Sequence, residues 1–463
     1  MFIGREKELA FLEKQWASPR GRMVFLYGRR RIGKTETLKA FCKDKDAIFF
    51  TTSEQNAETL KRDLSRLLLA TGMPASQYIE TFEDWKTLFE SLPTIPSSGK
   101  KLLIIDEFPY LVKADPSIAS ILQAVWDNAL KDENIMLVFC GSSMSFIEKH
   151  ILAEKNPLYG RATGIWKMGP MDFYDAVKFF PKYSPEDAVL AFSVFGGTPY
   201  YLSMLDGKFS LRDNITNTIL ENGAPLHNEP EFLMRQEFSK PVTYNSILEA
   251  IAYGATSFDE IHKKALVEKS SLTAYLNALI DIGLVEKEFS MSVGAKQIGN
   301  ASRGLYRLAD LFFRFWFTFV RPNLGPLDKG DTDLIWTHAI EPKLNEYASI
   351  SFEDICKDYL YQQNREGKLP FVFTKLGRWW HKGEEIDIVA ESADRSRILL
   401  GECKFKNSPM QIADFNALVA KMKLSDSVSP DYYLFSKSGF KKDLKQLGKG
   451  LENLHLITLD KIL

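Results

Sequence analysis

At 463 residues, 45% hydrophobic and 26% charged, the chain has the composition of an ordinary globular protein and the length of about three domains. A net charge of -1 excludes a globally basic nucleic-acid binder, so any DNA contact must come from a local patch. The four cysteines, Cys42, Cys140, Cys356 and Cys403, have no paired spacing; that excludes a disulfide framework or zinc ribbon and suits a reducing cytosol.

The N-terminal stretch MFIGREKELAF is charged within five residues and has no apolar signal core. Apolar runs follow at 23–27 (MVFLY), 47–50, 102–105 (LLII) and 135–140 (IMLVFC), separated by helix-like stretches. Continuous runs of this length suit parallel strands covered on both faces, so residues 1–170 are expected to form an α/β, P-loop NTPase sheet. From 171 to 235 the spacing turns helical, broken by Gly196-Gly197-Thr198-Pro199, and reads as a helical lid. Residues 236–300 hold three short helical patterns and the strand-like LVEKEFSM, the order of a winged helix. Residues 301–345 read as an aromatic-rich helical connector. Its run LFFRFWFTFV is only ten residues long and carries Arg314, too short and too polar to span a bilayer, so a cytoplasmic protein without membrane contact is expected. Residues 346–463 open with a helix (SFEDICKDYL) and continue with strand-like runs at FVFTKLGRWW, EIDIVAES, ILLGECKF and DYYLFSK, a second α/β domain.

The segment from Gly28 to Thr35, GRRRIGKT, matches G-x-x-x-x-G-K-[ST] between an expected strand and an expected helix, the context this motif requires. Glycines let successive N–H groups turn inward, and the helix N-terminus adds positive potential where phosphates sit. The expected nucleotide set is Gly28, Arg31, Ile32, Gly33, Lys34, Thr35 and Glu36, with Asp106 and Ser143. Lys34 reaches the β- and γ-phosphates, and Thr35 and Asp106 hold Mg²⁺. Arg29, Arg30 and Arg31 either contact phosphate or pair with carboxylates elsewhere. Asp106 and Glu107 end the third apolar run, where carboxylates of a parallel strand face the ligand crevice, and Glu107 is placed to orient and deprotonate the attacking water. Ser142 and Ser143 end the fourth run, as γ-phosphate sensors or as an ordinary turn. Arg161 is an arginine finger or phosphate sensor, with a plain surface arginine as the alternative.

Together with GRRRIGKT, LLIIDE, FCGSSMS and PLYGRA, the N-terminal box Phe2-Ile3-Gly4-Arg5-Glu6 and the turn Gly196 to Tyr201 resemble the archaeal-type AAA ATPases, near the STAND and origin-recognition ATPases. The segment Tyr306 to Phe317, with its Arg314-Phe315-Trp316-Phe317, carries the resemblance further. It implies that Ile3, Gly4 and Arg5 touch the adenine, that Pro199 lies in a lid near the nucleotide, and that the C-terminal domain is restriction-endonuclease-like.

That last domain also speaks from its own residues. Asp387 in EEIDI and Glu402 and Lys404 in ECK lie on strand-like segments joined by ESADRSR. Residues 402 and 404 share a face because strand side chains alternate, and a hairpin brings Asp387 beside Glu402. Two carboxylates and a lysine can hold a divalent metal and activate water for phosphodiester attack. The set resembles the PD-(D/E)XK nuclease core, with Asp387, Glu402 and Glu353 as Mg²⁺ ligands, Lys404 steadying the phosphate, Gly383 in a tight turn, and Ile386 where that motif has proline. The expected helix for groove reading, residues 270–282, has no Arg or Lys, only Asn277 and Thr273 suited to bases, so a backbone clamp or a protein–protein module fits it better. The leading expectation is an ATPase that uses ATP and Mg²⁺ and acts on DNA, with homo-oligomers as further partners. The alternative is a STAND-like switch with an inactive nuclease-like scaffold, and a metabolic P-loop kinase leaves two domains without a role.

Overall fold

The computed structural model describes residues 2–291, 304–421 and 429–463. It divides into two compact units, Met1–Pro170 and Met171–Leu463.

The first unit is a five-stranded parallel sheet in the order β2-β3-β4-β1-β5, built from β1 (Arg22–Tyr27), β2 (Ala47–Thr51), β3 (Lys101–Asp106), β4 (Ile135–Gly141) and β5 (Gly164–Lys167). Period-2 alternation sends Met23, Phe25, Leu103, Ile105 and Phe139 into one core and Val24, Leu26, Leu102, Ile104 and Val138 into a second on the opposite face. Both faces are covered, which is why these strands read as unbroken apolar runs. All the parallel strands then end on one edge, and that edge carries Gly28, Asp106 and Gly141.

In the second unit the helices Pro241–Ala252, Phe258–Ala265 and Lys269–Asp281 precede an antiparallel pair, β6 (Val285–Glu288) and β7 (Leu305–Leu308). Ser257 opens the middle helix with a reciprocal capping box to Glu260. β7 falls past 300, inside the segment expected to be connector. It is four residues with two buried side chains, Tyr306 and Leu308, too little alternation to stand out. The aromatic run that follows is helical and fully interior: Phe312, Phe313, Phe315, Trp316 and Phe317 have no exposed surface, and the Trp316 indole donates to the His227 carbonyl at 2.7 Å. The helix Pro185–Phe195 packs into the same core. Tyr347 Oη on the long helix Leu344–Arg365 donates to the Ser193 carbonyl at 3.3 Å, and Lys437 pairs with Glu186.

The second sheet is mixed, in the order β12-β11-β10-β9-β8: β8 (Phe373–His381), β9 (Glu384–Ser392) and β10 (Ile398–Lys404) are antiparallel, while β10, β11 (Asp431–Ser436) and β12 (Leu454–Thr458) run parallel. The long helix covers one face through Phe352 and Ile355, and the helices Ile412–Ala420 and Lys442–Gly450 cover the other through Phe415, Leu418 and Leu444. The chain after β6 is stitched to β8: Met291 N donates to the Arg378 carbonyl at 2.9 Å, and Ser290 Oγ bonds both the N–H and the carbonyl of Trp380. Among the described residues no helix is long and apolar enough to cross a membrane.

Candidate functional site

The first site grows from the loop between β1 and the helix Lys34–Cys42. A Cβ at Gly28 would stand 2.4 Å from the Met168 carbonyl oxygen, so only glycine lets the loop leave β1 beside β5. Arg31 and Gly33 both have positive φ, 70° and 87°, and this curl brings the loop into the helix N-terminus, where first-turn N–H groups have no helical partner. Lys34 is buried, and its Nζ donates to the carbonyls of Gly28 at 2.9 Å and Arg29 at 3.0 Å. Arg5 braces the loop from outside: one nitrogen donates to the Ile32 carbonyl at 2.7 Å and another to Glu8 at 2.8 Å. Gly4 and Arg5 both have positive φ, and Ile3 is partly buried.

Thr35 Oγ1 donates to Asp106 Oδ2 at 2.7 Å, and the other carboxylate oxygen accepts from the Glu107 N–H at 3.0 Å. Thr52, at the end of β2, donates through its hydroxyl to the Asp106 and Glu107 carbonyls at 3.1 and 2.6 Å. Glu107 has a φ of 54° and accepts from Ser142 twice, from Oγ at 2.9 Å and from N–H at 3.2 Å. The strand-end serine that meets Glu107 is therefore Ser142, whereas Ser143 opens a short helix and its carbonyl accepts from Ile147 N–H. Glu36 is exposed and pairs with Lys39. Arg161 is held by Asp127, 2.9 Å through one terminal nitrogen, with further contacts through Nε. Pro199 starts the short helix Pro199–Leu202 in the second unit. The preceding Gly197 lies so near Met171 that a Cβ there would sit 1.9 Å from its carbonyl oxygen. The hydroxyl of Thr35 and the carboxylate of Asp106 are oxygen donors at one point, a set that fits Mg²⁺.

The second site lies where β9 meets β10. The turn before β9 has Lys382 at φ 49° and Gly383 at 85°, the paired positive angles of a tight hairpin turn. Gly401 faces Ile388, and a Cβ on Gly401 would come within 2.9 Å of the Ile388 Cβ. Next along the pair, Asp387 Oδ2 accepts from the Cys403 N–H at 2.8 Å, so Asp387 and Glu402 are neighbours as expected. Part of that aim comes from a bulge. On β8 Gly377 and Trp379 are two residues apart, but their partners Val389 and Ile386 are three apart. The extra residue breaks the alternation, so that Val389 and Ile386 both enter the same apolar core and the intervening pair is re-aimed.

Asp387 and Glu402 are buried. Burial, then the charge of Glu402, pushes the Asp387 carboxyl up to about 6. Burial, then the charge of Asp387, pushes Glu353 up to about 8. Lys404 pairs with Glu402 Oε1, and Lys421 reaches Oε2 at 3.4 Å. An open pocket of about 660 Å³ is lined by Asp387, Glu402, Lys404 and Lys421, together with Gly383, Glu384, Glu385, Ala417 and Ala420. Among the described residues no three His, Cys, Asp or Glu side chains stand close enough to form a ready cation cage, so Glu353 does not close on Asp387 and Glu402 as a third ligand. The paired carboxylates fit a divalent cation through the chemistry of two crowded oxygen donors.

Three residues of these sites had no mark in the sequence. Thr52 follows an apolar run of no motif, Arg378 pairs with Glu385 at 2.7 Å from within a strand, and Lys421 ends a helix. Helical phase alone could have placed Lys421 beside Ala417, four residues earlier, but nothing local ties that helix to β10.

The family described as an ATPase domain predominantly from Archaea matches residues 2–205, and one described as archaeal and bacterial proteins of unknown function matches residues 316–416. The chain is 35% identical over 408 residues to Uncharacterized protein MJECL04 of Methanocaldococcus jannaschii, covering 88% of each. It is 47% identical over 45 residues to Uncharacterized ATP-binding protein MJ0423 of the same organism, covering 10% of this chain and 76% of that one. In fold it resembles the Walker-type ATPase PABY2304 of Pyrococcus abyssi, at 20% identity and a TM-score of 0.51, over 68% of this chain and 96% of the other.

Proposed function

The chain belongs to the family of the Methanocaldococcus jannaschii protein MJECL04 and is an archaeal-type ATP-binding ATPase, and on that footing we propose that it acts on DNA through the Asp387–Glu402–Lys404 site under the control of ATP. The observation that carries the reading is the juxtaposition, in one chain with a complete P-loop site, of two buried carboxylates and a lysine at the mouth of an open pocket.

At the P-loop, Lys34 and the N–H groups of 31–35 take the phosphates of ATP, Ile3, Gly4 and Arg5 lie toward the adenine, and Thr35 and Asp106 hold Mg²⁺. Glu107, kept in place by Ser142, orients the attacking water and takes its proton. Arg161 could reach a phosphate only by giving up Asp127. At the second site, Asp387 and Glu402 would hold Mg²⁺, which supplies charge neutralisation and lowers the pKa of a bound water. Glu402 orients Lys404, and the Lys404 ammonium meets the charge that builds on the phosphate. Glu353, beside Asp387 and near Arg378, keeps its proton near neutral pH and so adds no further charge behind the pair. The three helices with β6 and β7 serve as a winged-helix module.

Linear, single-stranded and branched DNA offered with Mg²⁺ or Mn²⁺ tests this reading. Wild-type protein should cut at least one of them and Lys404→Ala none. No cutting by wild-type protein that still binds ATP would end the nuclease reading.

One observation favours a second reading, a STAND-like switch whose nuclease-like domain is a scaffold. The helix Lys269–Asp281 has a single cation, Lys269, and that one bonds Asp259 at 2.5 Å; Lys264 is tied to the Tyr253 carbonyl. Binding without a steep salt dependence would favour this reading, since phosphate neutralisation always brings one.

A further inference from the structure

The helix Ile412–Ala420 packs onto the second sheet through Phe415 and Leu418, in the core that holds Leu400 and Leu434. Ala417 and Ala420, three apart and so on one stretch of helix surface, line the pocket over Asp387 and Glu402. Side chains that end at Cβ leave that wall low. Lys421 follows directly, at the point where the helix stops.

Glu402 thus stands between two ammonium groups from different elements: Lys404 on its own strand and Lys421 at the helix end. The proposed chemistry uses only the first. Lys421 holds Glu402 at 3.4 Å, a long contact, and its side chain is 28% exposed against 9% for Glu402. At 3.4 Å the pair is loose, and Lys421 is the more exposed of its two members. A compact ammonium on a flexible stem, beside a pocket that Glu384 and Glu385 also line, is suited to draw a phosphate to the helix side.

We infer that Lys421 is a phosphate-binding residue of this site, gripping the backbone phosphate next to the scissile one in a DNA strand that enters along Ala417 and Ala420. The inference rests on the nuclease reading above. A contact to a neighbouring phosphate is made equally in the ground state and the transition state, so it sets KM and leaves kcat alone.

The test pairs cleavage kinetics in Mg²⁺ with binding of a fluorescent linear duplex across a salt series, the binding measured in the non-cutting Lys404→Ala background. Lys421→Ala should raise KM on the order of tenfold, the worth of one charged hydrogen bond, with kcat within about twofold. The slope of log binding constant against log salt should fall by about 0.9, one phosphate contact. Lys421→Arg should restore both. Unchanged KM and slope in Lys421→Ala, beside lost cutting in Lys404→Ala, overturns the role of Lys421 and leaves the nuclease standing. A fall in kcat at constant KM overturns it too, by placing Lys421 in the chemistry. If wild-type protein binds duplex without cutting, the nuclease reading falls and this inference with it, whatever the salt slope. If wild-type protein neither cuts nor binds, the nuclease reading falls first and this one with it.

Discussion

Glu107 occupies a left-handed backbone conformation, φ 54°, that costs a residue with a side chain on the order of 1–3 kcal/mol. Its neighbours hold it there: Thr52 takes its carbonyl, Ser142 takes its carboxylate, and Asp106 takes its N–H. Strain fixed by three separate partners suits the role proposed for Glu107. Glu107→Gln keeps an oxygen for Ser142 and removes the carboxylate proposed as the base. ATP hydrolysis should fall by on the order of 10²–10⁴-fold, the usual worth of a general base, while ATP binding measured at equilibrium stays near wild type. Hydrolysis that survives the change would place the base elsewhere.

Between elements, the second site depends on how closely β9 and β10 run. Gly401→Ala would set a methyl 2.9 Å from the Ile388 Cβ, and neither strand can turn aside without breaking the ladder. A cost of about 1–3 kcal/mol is expected, read as a thermal midpoint lowered by roughly 2–4 °C per kcal/mol. An unchanged midpoint would mean the strands have room to relax. The same scale explains what could be read from the chain. The P-loop was legible because its residues are contiguous and the backbone itself makes the site. Asp387, Glu402 and Lys404 were legible because one hairpin joins them and strand alternation has period 2. The bulge beside Asp387 was not, because it is a mismatch with β8 and appears only in the pairing. Ser142 rather than Ser143 meets Glu107 because the end of β4 sets the orientation of its last residues, which two adjacent serines do not disclose. The segment 171–235 read as a helical lid because its spacing turns helical and is broken by Gly196-Gly197-Thr198-Pro199, which says nothing of what its helices pack against. Pro185–Phe195 shares its core with the aromatic helices and the long helix, a packing choice made by residues more than a hundred positions later.

For the whole molecule, the two compact units each have their own core, and ATP has its phosphate loop in the first. ATP with Mg²⁺ should therefore stabilise that unit by linkage, about 2.7 kcal/mol at a hundred times its Kd. Calorimetry should show an ATP-dependent rise in unfolding temperature that Lys34→Ala abolishes; an equal rise in that variant would put the nucleotide elsewhere. A chain with net charge -1 gains no DNA affinity from its overall field, so the DNA contact proposed above has to come from a local patch.

The coupling of the two sites is the central claim, and the rate of cutting of linear duplex DNA in Mg²⁺, with and without ATP, tests it most directly. In wild-type protein ATP should change that rate about tenfold, within the 5–150-fold range of ordinary coupling between sites, and in Lys34→Ala it should change nothing. Equal rates with and without ATP in wild-type protein would contradict the claim, leaving an ATPase and a nuclease that share a chain without sharing control.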